Sequence, residues 1–318
     1  MTLIRKILPA LLILICIATE IQAQSSRGLQ HLNISPTAFA LSRSEATTAV
    51  HDGAASIFIN PALLSLNPES TIDIGYSRWI ADVNSIFGGI NFVNGKNALA
   101  LAFYSMGSGD FEQRDQPGPS NGNFTVRYLS VAGAYSRDLD WFSVGIAAQY
   151  LYEEVFLYQA SGYAFNLGLA RYFLDDRIKT GLSFTNLGEM GDLNNISSDL
   201  PANLRVGISA DLFELSAVKN DDLPILLSIY TDFVNPVITT ESSDFTNVNN
   251  NDPYFNIGLS FEIAEVVEIS SGYKTQNNVR PWSFGAAFMT EQVDFNYALI
   301  PFNTGYGTVH SIGLQYKF

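Results

Sequence analysis

His31, His51 and His310 have the widest chemical repertoire of any side chains in this 318-residue chain, and their spacing decides what they could do. None falls into an HxxxH-type arrangement, so they make no zinc-ligand pattern. His51 and Asp52 are adjacent, but a dyad also needs a nucleophile within reach, and no motif supplies one. The stretch "GISAD" at Gly207 lacks the second glycine of a GxSxG elbow. There is no phosphate-binding loop and no dinucleotide fingerprint. The expectation is a protein that is not an enzyme and carries no cofactor and no catalytic or structural metal. Hard oxygen donors are plentiful in "GSGDFEQRDQPGPSNGN" and "TTESSDFTNVNNNDP", which could meet divalent cations. Neither has EF-hand spacing, and solvated acidic loops are the simpler reading. "NIS" at 195–197 fits a glycosylation sequon.

These residues must be held by something, and composition narrows what that is. Arg5 and Lys6, the apolar run 7–18 and Ile21-Gln22-Ala23 read as a secretory signal over residues 1–23. A lipoprotein signal is disfavoured because Ile15, not a small residue, precedes Cys16. Cys16 is the single cysteine, so the exported chain is expected to lack disulfides and thiolate sites. The net charge of −14 makes nucleic acid a poor partner. Aromatic residues make up 13% and charged residues only 15%, against about 25% charged in soluble domains. No segment beyond the leader is apolar enough for a membrane helix. Few charges, many aromatics and an export signal together point to a transmembrane β-barrel.

Residues 70–318 carry that pattern. About fourteen segments alternate with period two: 71–79, 83–93, 98–106, 124–137, 141–152, 158–173, 178–186, 204–212, 224–233, 254–262, 267–273, 282–289, 292–299 and 308–318. In 282–289, Trp282, Phe284, Ala286 and Phe288 oppose Ser283, Gly285 and Ala287. A soluble sandwich would place Lys and Glu on the second face. Gly, Ser, Ala, Asn and Gln there suit a filled lumen behind a lipid-facing exterior. Turns after even segments are short ("NGKN", "DLD", "LDDR", "TE"), and connections at 107–123, 187–203 and 234–253 are long. That parity predicts periplasmic termini in a Gram-negative outer membrane, with 213–223 as an exception. Inward charges are expected to be few and near strand ends: Lys179, Glu268, Asp294 and Lys317 toward the periplasm, Arg205 toward the outside. Such a lumen lacks the charge ring of a selective pore. At the end, "HSIGLQYKF" puts Ile312, Leu314, Tyr316 and Phe318 on one face. This resembles the signal that the barrel-assembly machinery reads as an added strand.

Residues 24–69 fit neither pattern. "VHDGAASIFINPALLSL" is small, apolar and interrupted by Asn60-Pro61. A barrel of about fourteen strands is too wide to fill with its own side chains. The segment is therefore expected to fold inside as a plug. Ser35-Pro36 is a plausible helix start, 38–50 has helical character, and Asn60-Pro61 ends one apolar run and sets up the next.

The stretch "SRSEATTAVHDGAASIFINPALLSL" resembles the N-terminal signature of FadL-like outer-membrane proteins, and more closely that of the PorV/PorQ-like family. Asp52, Asn60, Pro61, Ala62 and Leu63 match the pattern, whereas "SEATTA" replaces the usual glycine pair. "SMGSGDFEQRDQPG", "TNLGEMGDL" and "DLPANLRVGISADL" also look like family segments. The resemblance implies an all-β, fourteen-stranded antiparallel barrel with an N-terminal plug containing short helices. It implies two alternative functions. One is an accessory role in type IX secretion, with the translocon and C-terminal sorting domains of cargo as partners. The other is FadL-like passage of hydrophobic molecules through a lumenal pocket and a lateral opening.

Overall fold

The computed structural model describes residues 29–113, 122–193, 199–216, 224–237, 252–303 and 305–318. The leader, the sequon and most of the two acidic stretches lie outside the described residues. Fourteen strands close into one antiparallel barrel in simple up-and-down order. They are β1 (Thr71–Arg78), β2 (Val83–Asn94), β3 (Asn97–Gln113), β4 (Gly122–Asp138), β5 (Ser143–Val155), β6 (Tyr158–Phe173) and β7 (Ile178–Met190), followed by β8 (Asn203–Ser216), β9 (Pro224–Pro236), β10 (Tyr254–Ile263), β11 (Val267–Lys274), β12 (Trp282–Met289), β13 (Val293–Pro301) and β14 (Thr308–Lys317). β1 pairs with β14 from Thr71↔Lys317 to Arg78↔His310, and this seam closes the ring. Closure gives every strand a hydrogen-bonded neighbour on each side. No helix among the described residues is long and apolar enough to cross a membrane.

The two faces of the wall differ as a transmembrane barrel requires. In β1, Thr71, Asp73, Gly75 and Ser77 are buried, while Ile72, Ile74 and Tyr76 are exposed on the outside. Leu99, Leu101, Ile146, Phe284 and Phe295 continue the exposed apolar belt on other strands. The near end, where the chain enters β1 and leaves β14, has tight turns built on left-handed residues. Asp140 (φ 67°) and Ala264–Glu265 (φ 54° and 57°) are examples. The far end carries the longer connections.

Several strands run further than their apolar alternation. β3 extends to Gln113 and β7 to Met190, so about half of the expected loop 107–123 and the first four residues of 187–203 are strand. Backbone pairing needs only a neighbouring strand, and polar residues continue a ladder beyond the lipid-facing zone. β8 likewise runs to Ser216, which shortens the 213–223 connection.

The lumen is filled by the N-terminal segment. A 3-10 turn (Gln30–Asn33) leads to α1 (Ala38–Ser42), α2 (Ser56–Ile59) and a second 3-10 turn (Pro61–Leu66). The expected helix over 38–50 is one turn only, because Ser44 and Glu45 adopt left-handed φ of 51° and 68°. Its cap is Thr37 rather than Ser35-Pro36: Thr37 Oγ1 accepts from the Ala40 N–H at 3.3 Å. The small lumen face of the strands now has a reason. A Cβ on Gly181 would lie 2.0 Å from the Thr48 carbonyl oxygen, and one on Gly168 would lie 2.1 Å from Asn60 Oδ1. Only glycine lets plug and wall approach this closely.

Candidate functional site

Asn60 is fully buried and joins three parts of the molecule. Its Oδ1 accepts from the Ala62 N–H at 3.2 Å, capping the second 3-10 turn. Its Nδ2 donates to the Thr48 carbonyl at 2.8 Å and to the Leu169 carbonyl of β6 at 3.1 Å. Pro61 holds the first position of that turn, where its missing N–H costs nothing. The Ala62 carbonyl accepts from Ser136 Oγ (3.0 Å) and Ser143 Oγ (2.7 Å), which fixes the turn to β4 and β5. Leu63 is buried with Ala62 and Ala170. Asp52 lies on the other side of the plug, where its carboxylate accepts from Thr37 Oγ1. Ile312, Leu314, Tyr316 and Phe318 all sit on the exposed outer face, along β14 and its end toward the near side.

The plug is also locked to the wall by charge. Arg43 pairs with Glu268 of β11, and its guanidinium stacks 3.8 Å above the Phe39 ring. Arg205 of β8 pairs with Asp232 of β9 at 3.0 Å, and Thr48 gives both its N–H (3.0 Å) and its hydroxyl (2.6 Å) to the same carboxylate. Glu45 meets Lys274 at 2.7 Å and Arg280 at 3.3 Å. Burial pushes the Glu45 carboxyl up, but Lys274 and Arg280 overcome it and hold the group down at about 2. The expectation of few inward charges near strand ends is therefore too narrow. Asp73, Asp232 and Lys274 are buried inward as well, and they serve contacts to the plug. Strand parity was the available signal, since Asp232 follows Ser228 and Tyr230 on one buried face.

These pairs separate two cavities. The far-end one, about 480 Å³, is lined by Asn33, Ile34, Tyr254, Lys274, Arg280 and Phe302 among others. The near-end one, about 220 Å³, contains His51 and Asp52 beside Lys179, Glu268 and Asp294. The three histidines stay apart: His31 stacks on Tyr128, His51 lines the near-end cavity, and His310 Nδ1 meets the Tyr297 hydroxyl at 2.7 Å on the outside. Among the described residues, no group of three or more His, Cys, Asp or Glu is placed to hold a metal.

Besides register shifts in the β3–β4, β6–β7 and β8–β9 pairs, the wall departs from a regular ladder where β7 meets β8. β6 and β7 stay paired out to Gly162↔Met190, but β7 and β8 pair only as far as Thr185↔Asn203. Asn186, in a left-handed conformation (φ 60°), turns the chain there. Its N–H donates to Asn166 Oδ1 (2.8 Å) and its side chain to the Pro201 carbonyl (3.1 Å). Asn166 Nδ2 in turn donates to the plug at the Ile57 carbonyl (2.8 Å), so plug and wall irregularity are linked. Behind this break lies an apolar cluster of Leu29, Leu151, Ala160, Ala164, Met190 and Leu200. Sequence reasoning missed it, because no periodicity marks where a ladder stops.

No protein-family model matches the chain, and no curated protein matches it. Solved structures do. The CymD monoaromatic hydrocarbon channel superposes with a TM-score of 0.61 at 12% identity, covering 90% of this chain and 98% of that one. The P. putida toluene transporter TodX superposes with a TM-score of 0.56 at 10% identity, covering 87% and 98%. The closed fourteen-stranded wall thus shares its fold with the CymD channel and the TodX transporter.

Proposed function

We propose that this protein passes small hydrophobic molecules across the outer membrane, entering at the far end and leaving sideways through the wall. The observation that carries the reading is the break between β7 and β8, which lies beside a buried apolar cluster. A route straight along the barrel axis meets the charge-locked plug. A sideways route meets Met190 and Leu200, with no ladder hydrogen bonds between Leu187–Met190 and β8. An apolar solute loses little by moving from that cluster into lipid. CymD and TodX, described respectively as a channel for monoaromatic hydrocarbons and a transporter of toluene, make this substrate class the natural first trial.

In this reading the near end, with its tight turns and Phe318, faces the periplasm. Ile312, Leu314, Tyr316 and Phe318 form the strand offered to the barrel-assembly machinery, and outer-membrane lipid covers the apolar belt. The protein is a conduit and not a catalyst. Uptake of toluene by cells carrying the chain should exceed that of cells without it. Met190→Trp should cut uptake about tenfold by filling the route, with the folded barrel retained on gels. Unaltered uptake in that variant would end the lateral-exit reading. The secretion-accessory reading rests on the plug's resemblance to PorV/PorQ-like proteins. Recovery of a type IX translocon or of sorting-domain cargo with the purified barrel would favour it instead.

A further inference from the structure

His31 occupies a compartment that its own chemistry fits poorly. It is 5% exposed, and neither imidazole nitrogen has a hydrogen-bond partner among the described residues. The ring lies flat against Tyr128, with centroids 4.6 Å apart and planes at 25°, and tilts against Tyr104 at 6.3 Å. Phe58 stands 6.3 Å beyond, tilted at 56° to Tyr104. The walls thus suit a flat ring, but an imidazole buried there leaves two polar atoms unsatisfied. Burial pushes the His31 pKa down to about 3, so the ring is neutral.

The wall itself keeps polar atoms free on β5, the strand paired with the one that carries Tyr128. Gln149 and Glu153 lie on the lumen side of β5, on either side of Leu151, which belongs to the apolar cluster. Gln149 uses its Oε1 to accept from Ser130 Oγ at 3.0 Å, and its Nε2 has no partner among the described residues. Glu153 sits opposite Tyr128 in register and keeps Oε2 unpaired. Both residues are more than nine-tenths buried. A buried donor and a buried acceptor left open on either side of an apolar strip cost stability unless something meets them. A plain hydrocarbon cannot do so.

The 3-10 turn that carries His31 is tied to the wall through Asn203 Nδ2, which donates to Asn33 Oδ1 at 2.8 Å. Leu29 and Leu32 add apolar contact to the cluster. A ligand that made the hydrogen bonds His31 cannot make would displace it.

We propose that this compartment binds a single aromatic ring bearing a hydroxyl, a phenol-type molecule, in place of the His31 imidazole. The ring stacks on Tyr128, and the hydroxyl donates to Glu153 Oε2 or accepts from Gln149 Nε2. The assignment rests on the transport reading for its route of entry, but binding at the site can be measured without transport.

The test uses p-cresol and toluene, which differ by one hydroxyl, titrated calorimetrically into the full-length protein in detergent. The expected result is p-cresol binding at least about tenfold tighter than toluene. Equal affinities, or no binding of either, would overturn the proposal, and this comparison needs no variant. Gln149→Leu with Glu153→Leu should remove the preference, at about tenfold, and leave toluene within about twofold. A preference that survives both changes would also overturn it. His31→Ala should tighten both ligands by emptying the compartment. Parallel uptake assays keep the two ideas apart. Toluene uptake without a p-cresol preference sinks the phenol site alone. A binding preference without uptake of either molecule sinks the transport reading alone.

Discussion

Replacing Asn60 with alanine tests whether one side chain holds the plug. The amide makes two buried hydrogen bonds, to the Ala62 N–H and the Thr48 carbonyl, and a part-buried one to the Leu169 carbonyl. Leu169 also belongs to the β5–β6 and β6–β7 ladders, so the loss there is the smallest. The Ala62 N–H and the Thr48 carbonyl are buried with the plug. Leaving each without its Asn60 partner costs about 1–3 kcal/mol, or about 2–6 kcal/mol together. The wall keeps its own ladder, so the barrel should stay folded and heat-modifiable on gels. The expected outcome is a looser plug. Limited proteolysis tracks the open population when reclosing is fast, so cleavage between residues 29 and 66 should rise about thirtyfold or more. Single-channel recordings should show openings that the parent lacks. Gly168→Ala supplies a coupled check, since its methyl meets Asn60 Oδ1 at 2.1 Å. Its effect should be smaller in the Asn60→Ala background. Cleavage and conductance unchanged from the parent would refute the reasoning.

Two further outcomes concern the charge lock. Glu268→Leu strands the Arg43 guanidinium and should loosen plug docking by about 3–5 kcal/mol, whereas Glu268→Leu with Arg43→Met should recover most of it. Proteolysis of the two variants gives the comparison, and equal damage in both would count against the pair. Glu45 sets a pH window. Its folded pKa of about 2 lies below the ordinary 4.5. Its contribution is complete above about pH 4.5 and is lost as pH falls toward 2. Conductance should therefore rise on acidification from pH 6 to pH 3, and Glu45→Gln should flatten that response.

The barrel was legible because one physical rule, lipid outside and small residues inside, writes itself into every strand with period two. Trp282–Met289 shows it in eight residues. The far-end extensions of β3 and β7 were not, because a ladder above the membrane needs no apolar face. Within the plug, Asn60-Pro61 announced a turn, but its partners at Thr48 and Leu169 follow from how the plug is rotated in the lumen. Local pattern does not encode that rotation. The same holds for Lys274 and Glu45, 229 residues apart, and for Arg43 and Glu268, 225 apart. His31 was read for metal spacing, and its stacking on Tyr128 depends on a non-local contact that spacing cannot express.

The plug touches the wall at places far apart in the chain. Its last turn, Pro61–Leu66, packs on β4, β5 and β6, whereas α1 packs on β12, β13 and β14. It therefore spans from the strands that emerge early to those that close the ring. A seam between β1 and β14 shifted by one residue would turn Ser311 and Gly313 outward and bring Ile312 and Leu314 against Ala38. α1 could not seat on that surface. Because this turn and helix contact opposite arcs of the wall, a ring closed out of step has no place to put the plug.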